Sequence, residues 1–104
     1  LEKYVKFINP KYAITKIRKF IEKIEYNPKN EEYVLDLMIH MGCMLDRCLS
    51  KIDIKYNNLD LYKEKEKLLF DKIIIALKDI EQDYNIKISD DEVAYIVKII
   101  TTKK

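Results

Sequence analysis

The stretch Tyr33-Val-Leu-Asp-Leu-Met-Ile-His-Met-Gly-Cys-Met-Leu-Asp-Arg-Cys-Leu49 decides the fold. Val34, Leu37, Met38, Met41, Met44, Leu45 and Cys48 recur at helical spacing, so the segment reads as one amphipathic helix running from about Glu31 to Leu49. Inside it stands His40, the only histidine of the chain. A neutral imidazole among methionines and isoleucines is costly to bury unless something binds or uses it. Arg47 follows seven residues later, two turns further along nearly the same face. A nucleophilic nitrogen with a guanidinium downstream on one stripe suits a phosphoryl group.

Working outward, the same periodicity recurs on both sides. Asn9-Pro10 and Asn27-Pro28 break the chain, because a residue before proline resists the helical region. Leu1, Tyr4, Val5 and Ile8 suggest a short helical stub before the first break. Ile14, Ile17, Ile21 and Ile24 form a stripe between the two. A polar linker from Ser50 to Asp60 follows the histidine helix. A third long helix carries Phe70, Ile73, Leu77, Ile80 and Tyr84. A fourth opens at Ser89-Asp-Asp-Glu92, a capping box in which hydroxyl and carboxylate each satisfy a free backbone N–H. Val93, Ile96, Val97 and Ile100 line its inner face. The expected architecture is all-α, a single-domain antiparallel helical bundle of four to five helices spanning residues 1–104.

Composition agrees and excludes several functions. One glycine and two prolines among 104 residues argue against turn-rich β structure. A net charge of +2, from 20 basic and 18 acidic residues, provides no field for nucleic acid. The eight tyrosines are interleaved with lysines, yet most fall on or beside core stripes. No apolar run approaches the ~20 residues that span a bilayer, and no signal peptide is present. Cys43 and Cys48 lie five apart on one helix and point in different directions, which disfavours a disulfide and points to a reduced, cytoplasmic setting. The chain begins at Leu1 without a methionine, which points to a segment of a longer protein.

The string Ile39-His40-Met-Gly-Cys-Met-Leu-Asp46-Arg47 resembles the histidine segment of PTS regulation domains (PRDs), the phosphorylatable modules of bacterial sugar-operon regulators. There a histidine is followed by largely apolar residues, an acidic residue among them, and then an arginine; His40, Asp46 and Arg47 occupy those positions. Ile86-Lys-Ile88-Ser-Asp-Asp91-Glu92-Val-Ala-Tyr95-Ile96 resembles the closing segment of the family, where an acidic pair caps a helix. Phe70 to Tyr84 and Asn9-Pro10 also match in pattern, so the likeness runs from about Pro10 to Ile100. Many such domains carry a second phosphorylatable histidine seven residues after the closing glutamate, where this chain has Ile99. The Cys-Met pair and this loss bring it closer to LevR-like activators than to BglG/LicT-like antiterminators.

The resemblance implies a phosphorylation-sensing regulatory domain of a transcription regulator controlling sugar operons, with no catalysis and no cofactor of its own. His40 would receive its phosphoryl group from HPr or a sugar-transporter EII subunit, and the response would be a change in homodimer packing. Nucleic acid would be contacted only by other domains of the parent, and no membrane is involved. Arg47 leans back toward the added group, since helical side chains tilt to the N-terminus. Asp36, one turn before His40, is placed to accept from one ring nitrogen and leave the other free.

Other readings of the same residues are weaker. A single histidine on a mostly apolar helix is more often a hydrogen-bonded structural residue, and the alternative function is a structural dimerisation module with a degenerate, unphosphorylated site. Asp36, His40 and Cys43 have metal-like spacing, but three ligands on one helix without a second histidine or paired cysteine make a poor tetrahedral site. Cys43 has His40 as a neighbouring base but no third group to complete a nucleophilic centre. Lys63-Glu-Lys-Glu-Lys67 is most simply a solvated helix start.

Overall fold

A computed structural model describes residues 9–24 and 31–102. The expected stub at Leu1–Ile8 and the break at Asn27-Pro28 lie outside the described residues. Among the described residues six helices follow one another: α1 (Pro10–Lys23), α2 (Glu31–Leu49), α3 (Leu59–Lys65), α4 (Lys67–Ala76), α5 (Lys78–Tyr84) and α6 (Asp90–Thr102). No strand occurs among the described residues, so the all-α bundle expected from the sequence stands.

Each boundary has a local cause. The Asn9 side chain accepts from the Lys11 and Tyr12 amides at 3.0 and 3.3 Å, and Pro10 supplies the pre-set φ of a first helical turn. Helix α2 ends where Lys51 enters the left-handed region at φ 58°. The Ile52 amide donates to the Arg47 carbonyl at 2.9 Å and the Lys51 amide to the Cys48 carbonyl at 3.3 Å, the bond pair of a Schellman motif. Asn85, at φ 51°, closes α5 in the same way, with Ile86 bonded to Glu81 and Asn85 to Gln82.

The third expected helix arrives in pieces. Leu77 interrupts it only slightly, with its amide still bonded to the Ile73 carbonyl at 2.9 Å, so α4 runs almost directly into α5. The expected linker to Asp60 is shorter than predicted, because α3 begins at Leu59. Leu59 and Tyr62 lie one turn apart and both pack against the core, which is enough apolar surface to fold this polar segment. The charged run 63–67 is mostly solvated as expected, but Lys63 reaches across to Asp90 on α6 at 2.6 Å.

Helix α6 is the centre of the bundle and packs against α2, α3 and α4. Val93, Ala94, Ile96, Val97 and Ile100 are all buried there, and Ala94 keeps the neighbouring backbones close. They meet Leu37, Met41, Met44 and Leu45 of α2 and Phe70 and Ile73 of α4 in one core. Each such aliphatic side chain contributes about 1.5–3 kcal/mol on burial. On α1 the buried set is Ala13, Ile17, Phe20 and Ile21, with Ile24 just beyond the helix end; Ile14 is only partly covered. Outside the core, Lys16 pairs with Asp83 and Lys23 with Asp79, tying α1 to α5.

Candidate functional site

Helices α2 and α6 run antiparallel, and their shared register builds the site. Arg47, in the last turn of α2, meets Glu92, in the first turn of α6. The Nε of Arg47 donates to Glu92 Oε2 at 2.9 Å, and Nη2 donates to Oε1 at 2.8 Å. This is a two-bond fork between groups 45 residues apart in the chain. Both charges also suit their helix termini, a cation at a C-terminus and an anion at an N-terminus.

The Glu92 side chain is only 5% exposed and that of Arg47 28%, so the pair sits at the boundary between core and solvent. The Glu92 carboxylate hydrogen bonds hold the Arg47 guanidinium above its usual pKa range. Half of the expected capping box is therefore replaced. The Ser89 hydroxyl does accept from the Glu92 amide, at 3.3 Å, but the Glu92 carboxylate turns to Arg47 instead of its own backbone. A buried carboxylate gains more from a cation than from an amide that water can also serve.

Seven residues back along α2 from Arg47 is His40, and seven residues forward along α6 from Glu92 is Ile99. Both line one open cleft with Met44, Arg47, Ile54, Glu92, Tyr95 and Ile96, with a volume of about 270 Å³. The position where the sequence lacks a second histidine thus shares a cleft with the one it has. His40 itself is exposed, which corrects the expectation of an imidazole enclosed by apolar neighbours. The physical reason is rotational: the core-facing positions 37, 38, 41, 44, 45 and 48 leave 36, 40, 43 and 47 on the flank of α2.

Of the expected site residues, His40 and Arg47 are brought together in the cleft, and Asp36 and Asp46 are absent from its lining. Asp36 and Asp46 are both half-buried elsewhere on α2. Among the described residues no three His, Cys, Asp or Glu side chains converge as metal ligands. Cys43 and Cys48 are free thiols. Burial pushes the Cys48 thiol up to about 11, which leaves it protonated and inert at neutral pH.

The loop from Lys51 to Asn58 closes the site at one edge. The Tyr56 amide donates to Asp91 Oδ1 at 2.7 Å, and the Tyr95 hydroxyl donates to the Lys55 carbonyl at 2.9 Å. The Tyr56 ring stacks on Tyr62 and meets Tyr95 edge-on, each at 4.9 Å between centroids. These ties hold the loop on α6 and place Ile54 in the cleft wall. Sequence reasoning missed Glu92 as the partner of Arg47, and missed Ile54 and Tyr95; no local periodicity encodes such long-range pairing.

No helix among the described residues is long and apolar enough to cross a membrane. Neither the curated proteins nor the solved structures include a match to this chain. A family model, the PRD domain, matches residues 3–103. Together with the all-α bundle and the paired seven-residue spacing of its cleft, that match over nearly the whole length establishes that the chain belongs to the PRD domain family.

Proposed function

We propose that this PRD is a phosphorylation-sensing module of a larger bacterial transcription regulator controlling sugar operons, with His40 as its phospho-acceptor. PRD domains are regulatory rather than catalytic and are generally governed by phosphorylation in PTS-related regulators. The observation that carries the reading is an exposed imidazole sharing a cleft with a guanidinium that is already held in place.

In-line transfer needs a ring nitrogen that the donor can approach from solvent, which an exposed His40 satisfies. HPr or a sugar-transporter EII subunit is the donor in this reading. Its own phosphoryl bond breaks as the new N–P bond forms on His40, and the proton that the ring gives up is taken by the donor's leaving atom. Asp36 and Asp46 serve as supporting acidic groups on the same helix.

The added group brings about −1.5 to −2 charges. A like charge ~8 Å away across a subunit contact, at an effective dielectric of ~20, is worth about 2 kcal/mol per charge pair. That is enough to shift a homodimer between two packings more than tenfold. Ile99 leaves a single acceptor, and with the Cys-Met pair it favours a LevR-like activator as the parent. Nucleic acid is then contacted by other domains of that parent, in the cytoplasm.

A second reading, a structural dimerisation module with an unused site, draws on the apolar side chains that α4 presents to solvent, Leu68 at 89% and Ile75 at 66% exposure. One experiment separates the two: incubation with the phosphoryl donors, scored by acid-labile phosphate on the domain with His40→Ala as control. Label on the wild type and none on the variant supports sensing. An unlabelled wild type overturns it.

A further inference from the structure

The Arg47 guanidinium has two edges, and only one of them is used. Its side edge, Nε–H with one Nη2–H, is spent on the two Glu92 oxygens. The end edge, formed by Nη1 and the second Nη2 hydrogen, has no partner among the described residues. Arg47 and His40 line the same cleft, two turns apart on one flank of α2.

We propose that Glu92 is a positioning residue: by gripping the side edge of Arg47, it presents the end fork to the oxygens of a phosphoryl group on His40. The inference rests on His40 as acceptor and adds the device that receives the group. Arg47 then bridges two anions without leaving either, and the chain phosphoryl–Arg47–Glu92 ties α2 to α6. Planarity and five fixed donors make this possible for arginine, whereas a lysine has a single point charge to divide between the two. The titratable groups lining the cleft are His40, Arg47, Glu92 and Tyr95, so few other charges compete.

The arrangement is testable without any protein donor. Phosphoramidate phosphorylates imidazole by breaking its own N–P bond as the ring N–P bond forms, and the proton lost by the ring leaves with ammonia as ammonium. The 31P resonance of the phosphorylated chain is then followed against pH in wild type, Arg47→Lys and Glu92→Gln. A fork on the phosphoryl oxygens favours the dianion, so the wild-type midpoint is expected about one pH unit below that of Arg47→Lys. Glu92→Gln keeps the shape but loosens the grip, and its midpoint falls between the two.

A purely structural Glu92 would lower the thermal midpoint of its variant and leave the 31P midpoint at the wild-type value. That result, or coincident midpoints in all three chains, overturns the proposal. If the protein donors leave His40 unlabelled while these midpoints separate as expected, the sensing function fails and the positioning role stands. Should Arg47→Lys not fold, the wild-type and Glu92→Gln midpoints still decide.

Discussion

The two ends of the α2–α6 seam are built from the same spacing and treated in opposite ways. At one end Arg47 and Glu92 are locked by two hydrogen bonds, and the carboxylate is nearly sealed from water. At the other, His40 is exposed and faces an apolar cleft wall that includes Ile99. The locked end acts as a structural fixture that also aims a cation. The open end leaves its imidazole in contact with solvent. A site can thus sit on a helix contact that builds the scaffold without being part of its core.

Unequal burial sets the size of the effects. Arg47→Ala strands the more buried partner, so it is expected to destabilise by about 4 kcal/mol in urea unfolding, whereas Glu92→Ala leaves an arginine that still reaches water and costs about 2. Equal losses would break the claimed asymmetry. Beside the locked end, Cys48 is expected to react with a neutral thiol reagent about a hundredfold more slowly at pH 8 than a cysteine of ordinary pKa near 9. Its raised pKa also carries a linkage: the unfolded thiol ionises first, so stability is full below about pH 9 and falls as pH rises through about 11. A rapidly labelled Cys48 would mean that end of the seam opens often.

Lys51→Gly removes the left-handed penalty at the cap that follows Arg47 and is expected to raise stability by about 1 kcal/mol in the same assay. The smallest effect belongs to the open end. His40→Ala should leave stability within about 0.5 kcal/mol of wild type, because an exposed side chain without a burial role has little to lose. A loss of 2 kcal/mol there would make His40 a structural residue after all.

Much of this contrast was legible in the sequence. The stripes of α2, α4, α5 and α6 follow from burial having the period of the helix, and the Ser89 cap from a hydroxyl just before an apolar run. His40 and Arg47 were found because they share a flank. The exposure of that flank was legible too, since Asp36, His40, Cys43 and Arg47 repeat beside the apolar stripe, although the apolar immediate neighbours of His40 masked it. Glu92 was misassigned because a capping box is a local rule and a cation 45 residues away in the chain is not. The short helix at Leu59–Lys65 escaped notice because its contacts are made with α4 and α6, outside its own segment.

The matched seven-residue steps of α2 and α6 also work as a ruler. Replacing any one side chain on the seam changes a contact and leaves the alignment intact. Inserting a single residue between His40 and Arg47 would instead swing everything upstream by about 100° around the helix axis. The imidazole would leave the cleft while Arg47 kept its grip on Glu92, so the pair is defined by chain length as much as by chemistry.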